Sequence, residues 1–100
     1  MRYGLIVIIE SFKNRQTELF WETGNGPKLP ANIRRVAMRK LKMLNDAQAL
    51  EDLRTPPGNR LEALKADRVG QHCIRINDQF RVCFRWADGK AYDVEIVGYH

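Results

Sequence analysis

Arg75, Arg81 and Arg85 sit in two runs, Gln71 to Ile76 and Phe80 to Trp86, in which apolar and polar residues alternate. Period-two alternation sends successive side chains to opposite faces of a sheet. With the intervening turn centred on Asp78, Arg75 faces Arg81 and Cys73 faces Cys83 across a hairpin. Ile74 and Ile76 then share the other face with Phe80, Val82 and Phe84. Like charges directly opposite each other are destabilising, so the arginine pair calls for an anion or for intervening carboxylates. Tyr99 has the arginine parity, His100 closes the chain beside it, and Glu62 and Lys65 add an acid and a cation. Such a set suits RNA cleavage without a metal. A 2′-hydroxyl must lose a proton, a pentavalent phosphorane must be held by cations, and the 5′-oxygen must gain a proton. His titrates near neutrality, Arg offers phosphate two parallel donors, and Tyr stacks on a base or donates a proton. The same alternation also describes an ordinary polar sheet face laced with ion pairs, with Asp93 and Glu95 as the acids.

The surrounding elements decide whether these side chains meet. An apolar strand is expected over Leu5 to Ile9, then Ser11 as N-cap of a helix reaching about Thr23, stopped by Gly24-Asn25-Gly26-Pro27. Pro30 starts a second helix; from Asn32 to Leu44, Ile33, Val36, Ala37, Leu41 and Leu44 recur at helical spacing. A short helical stretch over Ala47 to Leu53 ends at Thr55-Pro56-Pro57-Gly58. Strands follow at Arg60 to Lys65, Gln71 to Ile76, Phe80 to Trp86 and Tyr92 to Val97. The last hairpin has two solutions. A two-residue Asp88-Gly89 loop puts Val94 and Ile96 on the arginine face. A three-residue Ala87 to Gly89 loop, the preferred reading, keeps them on the core face. The expected fold is α+β, a small antiparallel sheet with two to three N-terminal helices on one face.

Composition bounds the rest. The 100 residues suit one domain, 1–100. Hydrophobic content of 44% against 29% charged is globular rather than disordered. The longest apolar run is Leu5 to Ile9, too short for a membrane span or a signal peptide, and a cytoplasmic location follows as the expectation. Two cysteines outside any C-x-x-C pair, with two histidines, give no zinc spacing. There is no phosphate loop, G-x-S-x-G or H-E-x-x-H, and no metal or cofactor is called for. The formal charge of +5 points to a polyanionic or acidic partner. Much of it lies on the second helix, where Arg34, Arg35, Arg39, Lys40 and Lys42 occur without an acid. Such a helix suits phosphate contacts that confer affinity without chemistry. A helix-turn-helix regulator is disfavoured because no recognition helix follows a short turn.

Three segments carry a resemblance. Pro56-Pro57-Gly58-Asn59-Arg60-Leu61-Glu62-Ala63-Leu64-Lys65 is followed by Asp67-Arg68-Val69-Gly70-Gln71-His72. Then come Ile74-Arg75-Ile76-Asn77-Asp78-Gln79-Phe80-Arg81-Val82-Cys83-Phe84-Arg85-Trp86 and a closing Tyr92-Asp93-Val94-Glu95-Ile96-Val97-Gly98-Tyr99-His100. From about residue 8 onward the chain closely resembles the HigB toxins of the RelE-like superfamily, the plasmid maintenance "killer" proteins. The resemblance implies a RelE-like fold and a type II toxin that cuts mRNA in the ribosomal A site by 2′-hydroxyl attack, independent of metal. It implies a HigA-like helix-turn-helix antitoxin, with operator DNA bound only by the toxin–antitoxin complex and no membrane partner. Residue by residue, it assigns catalysis to Lys65, Arg81, Tyr99 and His100, with Glu62 and Arg75 as weaker carry-overs. Arg68 joins the cations of the second helix as an RNA or ribosome contact.

The chain departs from the family pattern in four places. Ala66 replaces the Gly usual in L-K-G-D-R, Phe80 stands where Trp is common, and Gly98 stands where most members have Asp before Tyr-His. Met1 to Val7 reads as an N-terminal extension. Gly98 and the basic helix together leave an alternative: a non-catalytic ribosome- or RNA-binding module with a degraded active site.

Overall fold

Asn14 opens the first helix. Its Oδ1 accepts from the Thr17 N–H at 2.8 Å, and the helix α1 runs over Arg15–Thr23 to a left-handed Gly24 at φ 80°. The expected cap, Ser11, is used elsewhere: its Oγ accepts from the Asp93 N–H at 2.9 Å. Residues 8–25 and 29–98 are described by the computed structural model. The second helix, α2 (Ala31–Asp46), follows Pro30, whose φ of −55° already suits a helix start. The stretch expected to be helical from Ala47 to Leu53 is a 3-10 turn over Leu50–Arg54. Asp52 ends the regular helix here, because its Oδ2 accepts from the N–H groups of Gln48 (2.9 Å) and Ala49 (3.1 Å).

The second half is a four-stranded antiparallel sheet in chain order: β1 (Glu62–Ala63), β2 (Gln71–Arg75), β3 (Phe80–Ala87) and β4 (Lys90–Gly98). The strand expected over Arg60 to Lys65 contracts to two paired residues. Arg60 is left-handed at φ 46°, and Lys65 leads into a 3-10 turn, Ala66–Arg68. Of the expected N-terminal strand, Ile8 and Ile9 are among the described residues. The segment from Ile8 to Lys13 lies parallel beside β4, with Ile9 bridged to Ala91 and Phe12 to Val94. Four backbone bonds hold it, from Ala91 N to Ile8 O (2.7 Å) through Lys13 N to Val94 O (2.9 Å).

The last hairpin takes the loop that the sequence reading set aside. Ala87 pairs with Lys90 around Asp88 and Gly89, at φ 52° and 75°, which is a two-residue turn of the primed type. Val94 and Ile96 nevertheless reach the core face. A bulge adds one residue to β4 between the Arg85/Tyr92 and Cys83/Glu95 pairs, and Asp93 there has φ 52°. The core lies between this face and the helices. Phe20, Leu41, Leu44 and Leu53 pack with Ile74, Val82, Phe84 and Val94. Among the described residues, no helix is long and apolar enough to cross a membrane.

One buried polar group ties the two halves together. Asn59 is fully buried, accepts from Lys40 Nζ at 2.5 Å and donates to the carbonyls of Leu53 (3.1 Å) and Thr55 (3.4 Å). Lys40 itself is buried at 7% exposure, which places it inside the fold and off the solvated face of α2. Burial, with repulsion from Arg39 and Arg75, lowers its ammonium below the ordinary lysine value. Asn59→Ala leaves that ammonium without its acceptor and two carbonyls short of a donor. It is expected to cost about 3 kcal/mol in urea unfolding, against under about 0.5 kcal/mol for exposed Arg35→Ala.

Candidate functional site

Four side chains form one row across the sheet, on the face away from the helices. Glu62 of β1 pairs with Cys73 of β2, Cys73 with Cys83 of β3, and Cys83 with Glu95 of β4. Arg75 and Arg81 are paired in the neighbouring row, two residues along the strands, as the Asp78-centred turn requires. The like charges are managed by carboxylates. Arg81 Nη1 donates to Glu62 Oε1 and to Cys73 Sγ, the latter at 3.2 Å. Arg75 is ion-paired with Asp78 in the turn. Arg85 approaches Asp93 at 3.8 Å. Arg68 Nη1 donates to Glu95 Oε2 (3.2 Å) and to Gln71 Oε1 (3.1 Å). The ion-pair-laced face foreseen as the plain reading is therefore present. It is also a set of guanidinium groups already oriented by acceptors, open to solvent at Arg81 and Arg75 to one fifth and one third.

The electrostatics centre on Arg81. Burial alone would lower its guanidinium, but the hydrogen bonds to Cys73 and Glu62 outweigh burial and hold it above its ordinary value. Cys73 responds in turn. A hydrogen bond from the Cys83 thiol and the adjacent Arg81 bring it down to about 6, against burial and Glu62, which push it up. Cys83, donating to that sulfur in a buried place, is pushed up.

The other expected residues fall in three groups. Lys65 is exposed two residues beyond β1, at the start of the 3-10 turn, and makes no ion pair among the described residues. Ala66 beside it has φ 59°, a conformation that favours glycine, in the turn that carries Lys65. Tyr99 and His100 lie outside the described residues; β4 is described to Gly98, which pairs with Phe80 next to Arg81. A Cβ at Gly98 would stand 3.2 Å from Phe80 Cε1, so an acid there needs the Phe80 ring to give way slightly. Arg34, Arg35, Arg39 and Lys42 are exposed on α2, the last three on the side of the helix away from the core stripe Ala37, Leu41 and Leu44. The reading of single residues missed Asn59 and Ser11. Asn59 stands inside the P-P-G-N-R-L-E run, whose length was the available signal. Ser11 offered none, since its partner Asp93 is 82 residues away.

The family of HigB-like toxins, described as the RelE-like toxin of the type II toxin-antitoxin system HigB, matches residues 10–100. The chain belongs to the HigB-like toxin family. Its similarity to Toxin HigB-1 of Vibrio cholerae is 44% identity over 81 residues, covering 80% of this chain and 85% of that one. An uncharacterized protein of Haemophilus influenzae is 32% identical over 82 residues, 81% of each chain. Endoribonuclease HigB of Proteus vulgaris is 28% identical over 99 residues, 93% of this chain and all of that one. A type II toxin has an antitoxin as its partner, and the α+β architecture agrees with the RelE-like fold that the resemblance implied.

Within this HigB-like toxin, two substitutions test how the loop before β2 holds Lys65. Ala66→Gly relieves the left-handed backbone at some cost in chain entropy, and a net gain of about 0.5–1 kcal/mol is expected in denaturant unfolding. Arg68→Ala strips Glu95, a carboxylate at 9% exposure, of its ion-pair partner. A loss of about 1–2 kcal/mol is expected, moderated because Arg68 is partly solvated. Faster amide exchange at Val69–Gln71 would accompany it, and unchanged exchange there would refute the bracing role.

Proposed function

We propose that this toxin is an endoribonuclease that cuts mRNA on the ribosome by metal-independent attack of a 2′-hydroxyl on the adjacent phosphate. The observation that carries the reading is Arg81: a guanidinium oriented by Glu62 and Cys73 on the open sheet face, beside Arg75 and within the same strand pairing as Gly98. Two parallel N–H donors suit a phosphate that gains charge as it becomes pentavalent. Lys65, with no carboxylate partner among the described residues, supplies a second cation. Tyr99 and His100, which follow Gly98 in the chain, carry the proton work: one group takes the 2′-hydroxyl proton and another returns a proton to the departing 5′-oxygen. The new P–O bond and the broken one leave a 2′,3′-cyclic phosphate and a 5′-hydroxyl. Glu62 has two parts in this reading. It holds Arg81 in place before RNA arrives, and it must yield a donor when phosphate binds. The name of the Proteus relative, an endoribonuclease matched over its whole length, supports the reaction class.

The partners in this reading are the ribosome with its mRNA, and a HigA-like helix-turn-helix antitoxin whose complex with the toxin binds operator DNA. The chain acts in the cytoplasm. Arg34, Arg35, Arg39 and Lys42 of α2, with Arg68 in a lesser part, contact ribosomal RNA. A second reading, a binding module without cleavage, is favoured by the same exposed helix and by Gly98 in place of the family's acid.

Expression without antitoxin separates the two readings. The nuclease arrests growth and leaves translated mRNA with 2′,3′-cyclic phosphate ends; the binding module arrests growth with mRNA intact. Arg81→Ala should lower cleavage by about 10²-fold or more while leaving the folded spectrum unchanged. Full cleavage by that variant would remove Arg81 from the mechanism. Arg39→Ala with Lys42→Ala should instead weaken ribosome association and flatten its salt dependence.

A further inference from the structure

In the proposed cleavage Cys73 serves only as an acceptor that helps orient Arg81, and Cys83 has no part, yet the two cysteines face each other beneath that guanidinium. Both are free and buried. The Ile76 N–H donates to Phe80 O at 3.0 Å, which marks Ile76 and Phe80 as a hydrogen-bonded pair. Alternation along the ladder then makes Ile74/Val82 hydrogen-bonded and Cys73/Cys83 non-hydrogen-bonded. In that class the Cα atoms stand about 4.5 Å apart with the side chains close, at the short end of the roughly 4.4–6.8 Å that a disulfide spans. The Cys83 thiol donates to the Cys73 sulfur, and Arg81 Nη1 donates to it from 3.2 Å. Two cysteines on directly paired residues, with the guanidinium of Arg81 against one sulfur, form a more specific arrangement than packing alone would require.

We propose that Cys73 and Cys83 are an oxidisable dithiol that closes to a cross-strand disulfide when the chain meets a peroxide. The Cys73 thiolate attacks one oxygen of hydrogen peroxide. An S–O bond forms, the O–O bond breaks, and the departing oxygen leaves as water after taking up a proton. The Cys83 sulfur then attacks Cys73. The S–S bond forms, the S–O bond breaks, and the second oxygen leaves as water with the thiol proton. Two thiols lose two electrons and two protons, and one peroxide becomes two waters. Arg81 favours the first step twice, by stabilising the thiolate and by standing beside the oxygen that leaves. That Cys73 sits low, at about 6, agrees with this order of attack, and Cys83, pushed up, is the resolving thiol. Burial favours a small oxidant such as a peroxide over a bulky disulfide, since Cys73 is fully buried and Cys83 is 5% exposed. Thiolate attack by a dithiol reductant on the bridge returns both thiols, so the modification is reversible. It also turns an anionic acceptor of Arg81 into a neutral sulfur.

The test uses the reduced full-length chain and hydrogen peroxide, with thiols alkylated in denaturant and read by intact mass. The expected product is a monomer lighter by two hydrogen atoms that takes up no alkylating agent. Digestion should give one peptide joining Cys73 to Cys83, and dithiothreitol should restore both thiols. Cys83→Ala should instead accumulate a sulfenic acid on Cys73 that dimedone traps. The proposal is overturned if the wild-type chain keeps both thiols alkylatable while a control dithiol oxidises, or if disulfides form only between chains. The wild-type measurement needs no variant and no RNA, so its outcome stands apart from that of the nuclease reading.

Discussion

The bulge at Asp93 is the constraint on which both faces of the sheet depend. A strand has a side-chain period of two, so a single extra or missing residue sends every later side chain to the other face. β4 leaves a two-residue turn with Ala91 on the core side and Tyr92 opposite Arg85. Without the bulge, Val94 would point to the arginines and Glu95 into the core. With it, Val94 is fully buried, Ile96 pairs with Val82, and Glu95 stands beside Cys83 within reach of Arg68. The N-terminal segment holds the bulge in place. Its backbone grips β4 at Ala91 and at Val94, one on each side, and Ser11 Oγ takes the Asp93 N–H between them. An aspartate at φ 52° is tolerable because Asp is among the few residues that adopt this region locally.

The arginine face follows from that register and resolves an electrostatic conflict. Arg75 and Arg81 are directly paired, an arrangement that repulsion disfavours. Each guanidinium is turned along its own strand end to an acid: Asp78 in the turn for Arg75, Glu62 on the edge strand for Arg81. These acids are cheap to displace, because Asp78 is 91% exposed and Glu62 51% exposed, so their pairs are screened by water. Glu95 differs. At 11% side-chain exposure it holds Arg68 more firmly and fixes a loop rather than an exchangeable cation. Two kinds of ion pair thus share one surface, an exchangeable kind around Arg81 and a bracing kind around Arg68.

The β2–β3 hairpin was legible from the residues alone. The alternation from Gln71 to Trp86 and one turn centre gave the Cys73/Cys83 and Arg75/Arg81 pairs as observed. Local patterns read less well wherever a distant partner decides. Ser11 looks like a helix cap, but a donor on β4 takes its hydroxyl, and Asn14 caps instead. Lys40 reads as one of five cations on a basic helix, yet it falls on the buried side of α2 beside Leu41, where Asn59 accepts from it. The β3–β4 hairpin departs from its expected loop for a related reason. The right face was inferred for Val94 and Ile96, but the compensating residue was placed in the loop, since nothing local distinguishes a longer turn from a bulge five residues later.

The position of α2 limits how one nucleic acid could use both sets of cations. Ala37, Leu41 and Leu44 bury one side of the helix against the core, so Arg35, Arg39 and Lys42 face outward on the opposite side of the helix, with Arg34 exposed in its first turn. A single strand held by Arg81 would have to pass around the edge of the molecule to reach them. Cations so placed are separated from the arginine face by the helix layer, so the two sets address different surfaces. The sheet face thus presents Arg81 with Arg75 paired opposite it, each held by an exchangeable acid, while the outer side of α2 presents a separate cationic surface with no acid among its exposed cations.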